Sequence, residues 1–173
     1  MRRLPVIQQS AVEDEEAAAR PPWHWCFVGA GLAVTIWVPL AVVSAPFGAA
    51  LAARCLRVVP SDVALGAVVL PARQATLLAA LSALPLIVCF GLAAALAGAL
   101  VGRFGGRAGR REAGIAGMIA AFAVTSLATL GGAGLSATGA VAACLALAAV
   151  GVPSGFAGAG IGVRRRSVLG SPR

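Results

Sequence analysis

The stretch GLAAALAGALVG, Gly91 to Gly102, is a long apolar run built almost entirely from glycine and alanine. A water-soluble core made this way would be underfilled, because protein interiors reach crystal-like density only when side chains occupy the space between backbones. Helices inside a bilayer use small residues differently, to bring two backbones close together. The run therefore predicts a membrane helix with one smooth face that receives a neighbour.

The spacing identifies that face. Gly91, Ala95, Gly98 and Gly102 recur at intervals of four, three and four residues, and Gly151, Gly155, Gly158 and Gly162 repeat the same intervals later in the chain. Such spacing keeps all four positions on one side of a helix. We read these eight as helix-packing residues. Their recurrence in two segments running in the same direction raises a duplicated helical hairpin. In a chain with 22 glycines, chance recurrence stays open beside it.

Outward from this stretch, charge is segregated. The 173 residues are 60% hydrophobic and only 12% charged, with a mean hydropathy of +0.92, well outside soluble composition. Arg20 and Arg54 enclose one uncharged run, Arg73 and Arg103 a second, and Glu112 and Arg164 a third that is long enough for two crossings. The expected fold is an all-α integral membrane four-helix bundle with spans at about 23–53, 75–102, 113–130 and 135–163, forming one domain over 23–173. A cytoplasmic segment, 1–22, precedes it.

That first segment differs in kind. Ser10 and Glu13 fit a capping box, the acids from Glu13 to Glu16 suit a helix N-terminus, and Pro21-Pro22 ends it. It predicts a short surface helix, frayed or docked on a partner. A cleavable signal peptide is not expected, because the first apolar run starts late and is too long. Between spans one and two, Val63 to Leu70 is bracketed by Pro60 and Pro71 and is too short to cross, so it is expected to lie at the interface or re-enter.

All 14 basic residues are arginine, against six acids, for a formal charge of +8. They sit at span ends, so topology and lipid headgroups account for them and no nucleic-acid partner is expected. Trp23 and Trp25 suit the headgroup level, and Arg103, Arg107, Arg110, Arg111, Arg164, Arg165 and Arg166 are read as lipid or topology anchors. With four spans these arginines share one side with Arg2, Arg3 and Arg20, while only Arg54, Arg57 and Arg73 face the other. The bias places both termini in the cytoplasm. The absence of lysine beside so much Ala, Gly and Arg fits a GC-rich genome, hence a bacterial inner membrane.

The spans as drawn contain no Asp, Glu, Lys or Arg, which argues against proton- or sodium-coupled transport. His24 is the only histidine, which leaves no bis-histidine haem and no Ser-His pair for Ser154. Cys26, Cys55, Cys89 and Cys144 are scattered without metal or disulfide spacing. Gly131 to Gly134 reads as a turn, since no lysine follows it as a phosphate loop would require.

No enzyme, catalytic residue, metal or cofactor is therefore expected. The expected partners are the lipid bilayer and either further copies of the chain or other membrane subunits. The first functional expectation is a non-enzymatic structural or accessory membrane bundle. The alternative is a small channel, holin-like pore or facilitator for an uncharged or lipid-like solute, with Pro39 and Pro46 as hinges and Thr125, Ser126 and Thr129 along the path.

Overall fold

The structure, a computed structural model, describes residues 23–57, 70–105, 109–132 and 136–169, with side chains as far as Arg164. The expected N-terminal helix, nearly all of the 63–70 segment, Arg107, Ala133-Gly134 and the side chains of Arg165 and Arg166 lie outside the described residues.

Apolar runs with good helix formers dominate the chain, and the described residues fold into four α-helices: α1 His24–Leu56, α2 Ala72–Phe104, α3 Arg110–Leu130 and α4 Ala137–Leu169. Each contains a stretch long and apolar enough to cross a membrane. Three of them have 33 residues, about 50 Å at 1.5 Å per residue, whereas α3 has 21 residues, about 31 Å. They run beyond the expected spans, mostly by a few residues, because long arginine side chains can join a helix end and still hold their charge in polar surroundings. Thus Arg110, Arg111 and Glu112 form the first turn of α3, not a connector.

The ends have local causes. Pro71 precedes α2, where its missing N–H costs nothing, and its carbonyl accepts from Gln74 and Ala75 at 2.8 and 3.0 Å. At the start of α3 the Glu112 carboxylate accepts the Gly109 N–H at 2.6 Å. The chain leaves α3 through Gly132 at φ +76°, a conformation that side chains disfavour. Pro39 and Pro46 lie inside α1, Pro85 inside α2 and Pro153 inside α4, and each helix continues through its prolines.

The helices pack in the ring order α1–α2–α4–α3, with α2 against α4 as the most extensive contact and α1 and α4 on the long diagonal. Gly48 of α1 meets Ser82 of α2 and Gly29 meets Val101, so those two helices are antiparallel. Gly117 of α3 meets Gly151 of α4 and Ala113 meets Gly155, again antiparallel. Between α2 and α4 the pairs advance together, Gly98 with Gly155 and Gly102 with Ala159, so this central pair is parallel.

Size, more than polarity, sorts the side chains. The buried set is mostly alanine and glycine, and Phe90 and Val101 are the largest fully buried residues. The bulky apolar groups point outward: Val42 is 71% exposed, Phe47 67%, Phe122 68% and Leu145 65%. Burial is also uneven along the bundle. No residue of α2 before Phe90, and none of α4 before Leu147, is buried, so the central pair is tight only towards Gly102 and Gly162.

The α2–α4 contact is locally two-fold. Position 91 corresponds to 151, 95 to 155, 98 to 158 and 102 to 162, sixty residues apart throughout. Gly98 abuts the Gly155 carbonyl and Gly158 abuts the Ala95 carbonyl; Gly102 abuts Ala159 and Gly162 abuts Ala99; Gly91 faces Val150 and Gly151 faces Phe90. Each pair maps onto the next when the helices are exchanged. The symmetry ends there. Helices α1 and α3 touch each other, with Gly29 against Ala116, so they lie on the same side of the pair, whereas a two-fold axis would place them on opposite sides. The described bundle is therefore not two hairpins related by rotation about the pair.

One substitution at two sites separates packing from helix propensity. A methyl on Gly158 would strike the Ala95 carbonyl, while one on Gly31 meets nothing within 4 Å. Thermal unfolding in mild detergent should show Gly158→Ala losing on the order of 1–3 kcal/mol by overpacking. Gly31→Ala should be neutral or gain up to about 1 kcal/mol.

Candidate functional site

Two regions concentrate the residues singled out from sequence: the seam between α2 and α4, and the basic end of the bundle. In the seam, Gly91, Gly98, Gly102, Gly151, Gly155, Gly158 and Gly162 are all buried and Ala95 is half-buried. The closest approaches are between backbone and backbone, since the atoms that a Cβ on Gly98, Gly102, Gly158 or Gly162 would meet are main-chain atoms of the facing helix. At that separation Cα–H groups sit near carbonyl oxygens of the facing helix, a weak attraction that suits a site without side chains.

Phe90 closes the other end of the seam. Its ring edge occupies the space above Gly151, where a Cβ would lie 2.7 Å from Cε1. Trp37 of α1 meets the same ring edge-on, with centroids 6.2 Å apart and an interplanar angle of 82°, and its indole N–H donates to the Leu86 carbonyl at 3.1 Å. One aromatic pair thus ties α1, α2 and α4 together. The spacing argument overlooked Phe90, Trp37, Gly29, Gly48 and Gly117. A signal was present in Ala113, Ala116, Gly117, Ala120 and Ala121, a third small-residue face, on span three, that a repeated interval does not pick out.

The proposed path residues do not converge. Pro39 and Pro46 are exposed on the outside of α1. Thr125 is buried and its hydroxyl donates to the Ala121 carbonyl at 2.9 Å, while the exposed Thr129 donates to the Ser126 carbonyl at 2.8 Å. These hydroxyls bond back within their own helix. Ser126 is half-buried.

At the basic end, the start of α1, the end of α2, the start of α3 and the end of α4 come together. Trp23 is exposed and stacks edge-on with Phe27 at 5.9 Å, and Trp25 is half-buried beside Val101 and Ala113. The Arg103 guanidinium lies 5.4 Å from the Phe104 ring centre. Arg111 is exposed on the first turn of α3. Arg110 crosses from α3 onto α4: its guanidinium is 5.5 Å from the centre of the Phe156 ring, and a Cβ on Gly160 would lie 3.0 Å from its Nε and Nη2. Arg110, Phe156, Gly160, Ile161 and Arg164 line an open groove of about 340 Å³.

Among the described residues no three His, Cys, Asp or Glu side chains gather as metal ligands, and no buried side-chain nitrogen or oxygen is without a hydrogen bond. The four cysteines are free thiols, with Cys26 buried and Cys55 exposed. No protein-family model, curated protein or solved structure matches the chain.

The aromatic junction yields a graded expectation. Phe90→Ala should cost about 3–5 kcal/mol in detergent unfolding, the usual consequence of emptying a closed site. Trp37→Phe keeps the ring contact and loses the indole hydrogen bond, so its cost should stay near 0.6 kcal/mol, typical of a polar contact between membrane helices.

Proposed function

We propose that the chain is a non-enzymatic, multi-pass protein of a bacterial inner membrane, with both termini in the cytoplasm, serving as a structural or accessory bundle either as a homo-oligomer or within a larger membrane complex. The observation that carries this reading is the inverted distribution of side-chain size. Alanine and glycine fill the interior while phenylalanine, leucine and valine cover the outside of all four helices. In water such a surface would far exceed the few hundred square ångströms of contiguous apolar patch that soluble monomers tolerate. Against acyl chains it is at no disadvantage, and the gain from packing comes instead from close backbone contact.

An assembly role agrees with what the seam is built from. Its eight positions lack functional groups, and the hydroxyls of Thr125 and Thr129 are engaged within α3. The orientation rests on the arginines: Arg103, Arg110, Arg111 and Arg164 share one end, and Arg54, Arg57 and Arg73 the other.

Three measurements test the proposal. The expressed chain should remain with the membrane pellet through carbonate extraction. In a background with all four cysteines replaced by alanine, Arg103→Cys should label only from the cytoplasmic side and Arg57→Cys only from the opposite side. Purified protein should leave liposomes as tight to small dyes as empty vesicles are. Release into the carbonate supernatant, reversed labelling or dye leakage would each count against a specific part of the reading.

A further inference from the structure

We propose that the groove between the start of α3 and the end of α4 is a binding site for the phosphate headgroup of an anionic phospholipid, held between the Arg110 and Arg164 guanidinium groups with the upper acyl chain against Phe156 and Ile161. The inference rests on the membrane reading above.

Depth is the first argument. Helix α3 is 21 residues long, about 31 Å, nearly the thickness of the hydrocarbon core. When α3 spans that core, Arg110 in its first turn stands at the boundary where acyl chains give way to phosphates. Arg110 lies directly over Gly160 and Phe156, which fixes the same level on α4. Arg164 follows Gly160 by four residues, one helical turn or about 6 Å further into the headgroup layer. The two cations therefore occupy the zone of lipid phosphates.

Shape is the second. Gly160 has no side chain, which lets the Arg110 guanidinium come close against α4. The Phe156 ring supports it from below, a cation–π contact that restrains the fork before any ligand arrives. Guanidinium groups bind phosphate oxygens in pairs, so a restrained arginine beside a second one forms a directed site. The groove is open and the rest of its side-chain lining, Phe156, Ala157 and Ile161, is apolar and suited to the glycerol backbone and first methylenes. Glu112, the acid in the same turn, already accepts the Gly109 N–H, so its charge is partly answered within α3.

Charge decides the ligand class. Basic pockets between membrane helices on the cytoplasmic side attract anionic headgroups at about 1 kcal/mol per arginine, close to fivefold in affinity for each. A zwitterionic headgroup adds a choline or ethanolamine cation beside two guanidinium groups and gains less.

The test uses the full-length chain in nanodiscs and detergent micelles. Native mass spectrometry of wild type titrated with phosphatidylglycerol or cardiolipin should show a saturable adduct preferred about 25-fold over phosphatidylcholine. The double variant Arg110→Gln/Arg164→Gln should lose about 25-fold of that preference. Arg54→Gln/Arg57→Gln, which removes two charges from the opposite end, should keep it. Because Arg110 also touches α4, Arg164→Gln alone, which leaves that contact in place, is the companion variant. It should lose about fivefold.

Equal binding of phosphatidylcholine, an unchanged preference in the double variant or equal loss in the opposite-end variant would overturn the site. So would displacement of the lipid by millimolar inorganic phosphate, which would identify a free-anion site, or an adduct with an acidic peptide that excludes lipid. Failure of the membrane reading has a separate signature, recovery of wild-type protein in the carbonate supernatant, so the two outcomes do not overlap.

Discussion

Everything in this bundle depends on how closely the backbones of α2 and α4 approach. At Gly98, Gly102, Gly158 and Gly162 the neighbouring atoms are main-chain carbonyls and α-carbons of the opposite helix, with no room for a methyl group. Contact of that kind has little to do with excluding water. It consists of dispersion and weak Cα–H···O attraction summed over a smooth surface, and both fall steeply with distance. The glycines are therefore required as a set, because one added side chain separates the helices along several turns.

The remaining architecture adapts to that seam. Helices α1 and α3 cover one side of the central pair, contributing their own small residues at Gly29, Gly48, Ala113 and Gly117. Where a bulky residue is admitted, a glycine faces it, as Gly151 does Phe90. The only indole hydrogen bond among the described residues, from Trp37 to the Leu86 carbonyl, is placed where α1 joins this junction. Polar groups are used sparingly and locally.

Much of this arrangement could be read from the chain itself. Three apolar runs bounded by charged residues, the third long enough for two crossings, gave the number of described helices, and the interval shared by Gly91–Gly102 and Gly151–Gly162 marked a packing face on each of two segments. Periodicity describes one helix at a time, so it could not indicate that these two segments face each other in parallel, or that α1 and α3 share a side. The helices also extend past the charges that bound the apolar runs: Arg110 and Arg103 lie inside α3 and α2, with their guanidinium groups near the rings of Phe156 and Phe104. Nothing in the spacing of residues pointed to the groove. It arises from Arg110 on one helix reaching a glycine fifty positions later on another, a relation that only the packed structure contains.

The uneven burial along the central pair has a mechanical consequence. Interlocked near Gly102 and Gly162, and without buried residues before Phe90 and Leu147, the pair resembles a clothes-peg sprung at one end. In a bilayer, lateral pressure would act on such an object asymmetrically. The leaflet around the arginine-rich rim meets the pair where its backbones touch, while the opposite leaflet meets the same two helices where neither has a buried residue.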